Sequence, residues 1–282
     1  MVDPAVTELR DVAWVHGARR EPALQVHRHD DHTYVLRQSM SAHWEAPFLF
    51  LLLGDERALL LDTGATADSA LRTVLDDLVG ALPLLVAHTH AHGDHVAGDD
   101  ALRDRPATAV ISPDLAGVEA LWGALPTRVD LGGRVLEVLA TPGHHASSIT
   151  VFDERTGWLL TGDLVYPGRL YVDDPPAFRD SLDRLVGFTR SRPVTAVVGC
   201  HLEMTRTPGR DWPIGAQYQP AEPPLPMTVE QLVAVRDAAH AAGDRPGVHR
   251  APDFALWLGP CTWARRRHRA RRLLGRLRPH RR

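Results

Sequence analysis

Apolar and polar positions fall in blocks along most of the chain, and several apolar blocks end in the same kinds of residue. Residues 23–38 read as a strand or hairpin region centred on Tyr34, Val35 and Leu36, and a polar loop follows over 39–47. Phe48–Leu53 and Ala58–Leu61 are short apolar runs split by Gly54-Asp55-Glu56-Arg57, a hairpin signal. Residues 67–79 place Leu71, Val74, Leu75 and Leu78 at helical spacing. Further on, the pattern predicts strands at 84–87, 107–111, 134–140, 148–152, 158–161, 194–198 and 254–258, and helices at 114–121, 177–189 and 228–240. Thr228 and Gln231 have the spacing of a capping box. The proline-rich stretch 207–226, with Trp212, Tyr218 and Glu222, is long enough to form a lid. No internal repeat is visible. The expected organisation is one α/β domain over residues 1–262 and a basic, disordered tail over 263–282.

Four of these strands lead into a histidine or aspartate: the segment 88–95, His144, Asp163 and His201. Groups at strand ends, on loops held by a rigid scaffold, are where α/β enzymes carry their chemistry. The densest segment is Thr89-His90-Ala91-His92-Gly93-Asp94-His95. In an extended chain residues two apart point the same way. His90, His92 and Asp94 are then expected on one side, with His95 on the other until Gly93 bends the chain. Such a segment can feed two adjacent metal ions. The bland alternative is a solvated turn, since the chain holds 16 histidines.

Composition removes other chemistries. All 32 basic residues are arginine, so a P-loop lysine and a Schiff-base lysine are both excluded. The two cysteines, Cys200 and Cys261, cannot build a disulfide framework or a cysteine zinc site. No Gly-x-Ser-x-Gly elbow occurs. The longest apolar run is too short to span a bilayer, and the first residues lack the pattern of a secretory signal, which gives the expectation of a cytoplasmic protein. Charge is uneven. Residues 265–282 hold ten arginines and no acid, so taking those charges from the formal −3 leaves −13 for residues 1–264. The tail reads as a solubilising segment or as a contact for nucleic acid or anionic lipid.

Five motifs occur in order: Asp62-Thr63-Gly64, His90-Ala91-His92-Gly93-Asp94-His95, Pro142-Gly143-His144, Gly162-Asp163 and Gly199-Cys200-His201. Together they resemble the metallo-β-lactamase superfamily, from about residue 30 to 201. The resemblance implies an αββα four-layer sandwich with a metal site at one edge. By position, it makes His90, His92 and His144 ligands of a first metal, Asp94, His95 and His201 ligands of a second, and Asp163 the bridging carboxylate. His145 is the alternative to His144. Imidazole and carboxylate suit zinc, and two ions about 3.5–4 Å apart can share a hydroxide. Two zinc ions per chain are expected, with iron or manganese as alternatives. Asp94 is the expected catalytic residue, orienting the hydroxide and accepting its proton. Asp62 reads as an acceptor that fixes a histidine, or as a turn cap. Cys200 reads as a small core residue or a reactive thiol.

Within the family, Asp163 argues against antibiotic hydrolysis, because one zinc β-lactamase class has Cys there and another lacks the bridging aspartate. The motifs are similar to those of glyoxalase II-type thioesterases and of lactonases, although the basic residues that bind glutathione cannot be mapped. The expected activity is hydrolysis of a small ester, thioester or lactone by a dinuclear zinc enzyme. The alternatives are a phosphodiesterase or nuclease with the same metals, and a mononuclear iron sulfur dioxygenase. His43, Trp44 and Glu45, and Tyr166, Arg169 and Tyr171, are candidate specificity residues.

Overall fold

A computed structural model describes residues 8–67 and 69–259. The arginine-rich tail and the boundary at 262 lie outside the described residues. The first half of the chain runs β1 (Leu24–Asp30), β2 (Thr33–Gln38), β3 (Phe48–Leu53), β4 (Ala58–Leu61), α1 (Ser69–Val79), β5 (Leu84–Ala87), α2 (Gly93–Val96), β6 (Thr108–Val110) and α3 (Leu115–Trp122). The second half runs β7 (Thr127–Asp130), β8 (Val135–Ala140), β9 (Ile149–Asp153), β10 (Trp158–Gly162), β11 (Arg169–Val172), α4 (Pro175–Thr189), β12 (Ala196–Gly199), β13 (Pro226–Met227), α5 (Val229–Ala242), β14 (Gly247–Arg250) and β15 (Ala255–Leu258).

Two six-stranded sheets result, ordered β1-β2-β3-β4-β5-β6 and β13-β12-β10-β9-β8-β7. Pairing is parallel between β4, β5 and β6 and between β10 and β12, and antiparallel elsewhere in both. The alternation along β3 shows why the sheets stack. Phe48, Phe50 and Leu52 join Leu59, Leu61, Leu136, Val138, Val151, Leu160 and Val198 in a core between the two sheets. Leu49, Leu51 and Leu53 point the other way, onto Leu71 and Leu75 of α1. Both faces of β3 are covered, which accounts for a strand read as an unbroken apolar run. On the far side, Phe152, Leu159 and Val197 pack against Phe178 and Leu182 of α4 and Leu232 and Val235 of α5. The order of layers is therefore helix, sheet, sheet, helix, the αββα sandwich.

The capping box at Thr228 and Gln231 is formed and opens α5. A third sheet, β11-β15-β14, was not expected. It joins residues 169–172 to 255–258 in parallel, and its Tyr171 and Trp257 pack together over one end of the sandwich with ring centroids 5.4 Å apart. The proline-rich stretch also departs from expectation. Glu222 does not sit on a lid. It is buried against β2, where both its oxygens take bonds from Arg37 at 2.5 and 2.7 Å.

Candidate metal centre

The ends of β4, β5, β8, β10 and β12 converge at one edge of the sandwich. Two main-chain bonds join the sheets there, from Phe48 N to the Cys200 carbonyl and from Ile149 N to the Thr89 carbonyl, each 2.8 Å. The extended alternation expected over residues 90–95 holds only to His92. From Gly93 the chain turns into the single helical turn α2, where successive residues rotate by about 100° rather than 180°. That turn brings Asp94 and His95 to the same place instead of opposite sides.

Two donor groups result. His90, His92 and His144 form one, and Asp94, His95, Asp163 and His201 the other. In the first, His92 Nδ1 lies 2.9 Å from His90 Nε2 and 3.1 Å from His144 Nε2, with the three rings close to mutually perpendicular. In the second, His201 Nε2 lies 3.3 Å from Asp94 Oδ2 and 3.3 Å from Asp163 Oδ1, while His95 Nε2 lies 3.4 and 3.5 Å from the same two oxygens. The other Asp163 oxygen is 3.7 Å from His144 Nε2, so this carboxylate stands between the groups. All seven residues singled out in the sequence are thus together. His145 is not among them; its Nδ1 turns to Ser147. His88 turns away to Asp99.

The far nitrogens of these rings decide which nitrogens face inward. His144 Nδ1 donates to the Tyr171 carbonyl at 2.8 Å and His201 Nδ1 to the Glu45 carbonyl at 3.0 Å. His95 Nδ1 donates to Asp62 at 2.9 Å. His90 Nδ1 meets the Thr89 hydroxyl at 3.1 Å. Each inward nitrogen is then a free lone pair in the neutral ring, the arrangement that presents imidazole to a metal. Asp62 is a hub. Fully buried, it also accepts from Thr89 N, the Thr89 hydroxyl and the Cys200 thiol. Those bonds occupy its oxygens, so Asp62 and Cys200 orient His95 and do not form a third donor group. Burial pushes the Cys200 thiol well above its ordinary value, and Asp62 adds to the effect, so the thiol is a donor and not a reactive thiolate.

Electrostatics separates the two groups. Burial, with His95 next, holds His90 well below the ordinary imidazole value, and burial also lowers His144. Burial opposes charge on His95 and His201 as well. There, however, the facing carboxylates prevail: Asp62, Asp163 and Asp94 hold His95 well above its usual value, and Asp163 and Asp94 do the same for His201. Burial would raise Asp163, yet His201 and His95 hold it well below the carboxylate range. The second group is therefore a buried place that concentrates negative charge. His95 Nε2 and Asp163 Oδ1 are both buried there without a hydrogen-bond partner.

The family model of the metallo-beta-lactamase superfamily matches residues 44–201, which include every one of these donors. The chain belongs to the metallo-beta-lactamase superfamily. A hydroxyacylglutathione hydrolase of Synechococcus sp. (strain JA-3-3Ab) is 30% identical over 206 residues, covering 68% of this chain and 76% of that protein. A hydroxyacylglutathione hydrolase of Chelativorans sp. (strain BNC1) is 28% identical over 165 residues, and the match spans 62% of its length. A crystal structure of a metallo beta lactamase from Erythrobacter litoralis superposes with a TM-score of 0.54 at 18% identity, covering 79% of this chain and 98% of that one. This structural likeness concerns the superfamily fold, αββα.

A cavity of about 1040 Å³ opens over both donor groups. His43, Trp44 and Glu45 line it, as do Tyr166 and Tyr171. Arg169 does not: it is buried against Glu203 and Asp211. Of the proline-rich stretch, Ile214 reaches the wall. Burial, with Asp94 adding, pushes the Glu45 carboxyl up to about 7. Glu203, Trp257 and Asp173 also line the cavity and were not anticipated. Glu203 carried one signal, since it follows His201 by two residues.

Asp62→Asn is expected to weaken metal affinity about 10–100-fold while leaving the fold in place. Asp62 has a φ of 68°, which asparagine tolerates, but the amide is a poorer acceptor for His95 Nδ1. Competition against a chelator of known affinity measures the change, and an unchanged affinity refutes the orienting role.

Proposed function

We propose that this chain is a metal-dependent hydrolase that holds two zinc ions and cleaves a small ester, thioester or lactone. The observation that carries this reading is the buried, unpartnered pair His95 Nε2 and Asp163 Oδ1 among four inward-facing donors. Each buried polar atom left unsatisfied costs about 1–3 kcal/mol, and a cation bound between them removes that cost. The donor set is imidazole and carboxylate without thiolate, which suits zinc. His90, His92 and His144 would hold one ion and Asp94, His95 and His201 the other, with Asp163 between them. Bound there, zinc supplies Lewis acidity and a water acidified enough to act as a nucleophile near neutral pH.

The chain's own groups do the rest. Asp94 faces the cavity and is assigned to orient the attacking water and take its proton. Asp62 keeps His95 in one tautomer, and the Tyr171 and Glu45 carbonyls do so for His144 and His201. The relatives' name, hydroxyacylglutathione hydrolase, describes cleavage of a thioester, which supports that bond type. Seven donors argue against a single iron held by two histidines and one carboxylate. A phosphodiesterase usually places cations on the phosphate, and no arginine lines the cavity among the described residues.

Metal analysis of the purified chain is expected to find two zinc ions, and a single iron would overturn the reading. A panel of thioesters, lactones, β-lactams and phosphodiesters then identifies the bond cleaved. Exhaustive chelation is expected to lower turnover at least about a hundredfold, with recovery on adding zinc. Activity that survives chelation removes the metal mechanism.

A further inference from the structure

The cavity over the donor groups is lined by five carboxylates and four aromatic rings, with no arginine or lysine among the described residues. Asp94 and Asp163 belong to the donor groups, and Glu203 pairs with Arg169. Asp173 is left to set the sign of the outer cavity, since Glu45 stands 3.5 Å from His43 and burial pushes its carboxyl up to about 7. Arg169 approaches this wall from behind, its Nε 3.1 Å from the Tyr171 hydroxyl. Its side chain is only 1% exposed, and the guanidinium is spent on Glu203, Asp211 and the Trp212 carbonyl. Trp44, Tyr171, Ile214 and Trp257 also line the cavity and give it apolar and aromatic surface. In the outer cavity an entering carboxylate therefore meets Asp173 and, among the described residues, no arginine or lysine to pair with. An uncharged apolar group instead gains by leaving water for the apolar wall.

We propose that this cavity selects acyl compounds whose body is uncharged and apolar or aromatic, and rejects carboxylate-bearing carriers such as glutathione. The bond cleaved rests on the hydrolase reading above; the selectivity rests on the wall alone. It sets the chain apart from the relatives named for a glutathione ester.

The test separates the two claims by measuring binding and turnover independently. The S-benzyl thioethers of glutathione and of N-acetylcysteamine share an apolar group, differ in charge and cannot be hydrolysed. Each is titrated into the full chain loaded with zinc, with tryptophan fluorescence as the readout and Trp44→Phe identifying the signal from the cavity. The uncharged thioether is expected to bind at least about tenfold more tightly. Asp173→Arg is expected to narrow that ratio about fivefold, by improving the glutathione compound. Equal or tighter binding of the glutathione thioether overturns the proposal, as does failure of both to bind. Thioesters of the two thiols with one common acyl group are then assayed, and the same order is expected in kcat/KM, carried by KM. If neither is cleaved while the binding order holds, the hydrolase reading fails and the selectivity stands. Turnover that favours the glutathione ester overturns the selectivity alone.

Discussion

Replacing Asp163 with alanine is expected to lower kcat/KM by about three orders of magnitude, about 4 kcal/mol of transition-state stabilisation. Asp163 is the donor that touches both groups, through Oδ1 to His201 and His95 and through Oδ2 to His144. Its loss removes an anion from both positions at once, so the variant is expected to retain less metal than the parent. Asp163→Asn keeps the shape and loses the charge, and is expected to fall between alanine and the parent. Stability is read separately from activity. Burial penalises the Asp163 charge, yet His201 and His95 outweigh that penalty and hold its pKa well below the carboxylate range, so the carboxylate stabilises the metal-free fold above that range. The metal-free variant is therefore expected to melt below the metal-free parent at neutral pH. Metal content, turnover and melting temperature measured on one preparation decide the matter. Activity within tenfold of the parent refutes the bridging role.

The parts of the molecule legible in the sequence share a local cause. β3, β4 and β5 were readable because both their faces are covered and the chain shows unbroken apolar runs. The start of α5 was readable because Thr228 and Gln231 satisfy each other within one turn. The seven donors were readable because strand ends deliver them at short, fixed spacings. Elements built from distant pairing were not. β11 is four residues long and gains its place from β15, more than eighty residues later. The cavity wall shows the same limit. Trp257 and Ile214 come from chain beyond the last motif at His201, and which of its aromatic residues face the site is decided by the third sheet. Even inside the motif the period misled: Asp94 and His95 share a site because α2 replaces extended chain there.

Arg134 exposes the same limit energetically, and Arg134→Met is expected to cost about 3–5 kcal/mol. Nothing around residue 134 in the sequence announces its partners. In the fold its guanidinium holds Asp153 of β9 with two bonds, at 3.0 and 2.7 Å. It also donates to the His32 carbonyl, the Thr33 hydroxyl and the Leu53 carbonyl of the other sheet. At the end away from the donor groups this almost wholly buried side chain joins the two sheets, beside main-chain bonds from Asp55 N to the Gly132 carbonyl and from Glu56 N and Arg57 N to the Leu131 carbonyl. Methionine fills the volume but leaves the Asp153 carboxylate buried without its cation, and that uncompensated charge is the main penalty. For a domain of this size the loss corresponds to a fall in melting temperature of about 10 °C. Arg134→Met combined with Asp153→Asn isolates the charge, since an amide oxygen in the place of Oδ2 still accepts from the Thr156 hydroxyl and Thr156 N. The double variant is expected to be no less stable than Arg134→Met alone, and a double-mutant cycle reads the coupling. Metal content at low temperature should be unchanged in both variants, because the donor groups lie at the opposite end of the strands. A single variant within 1 kcal/mol of the parent would show that the main-chain bonds, not Arg134, hold the sheets together there.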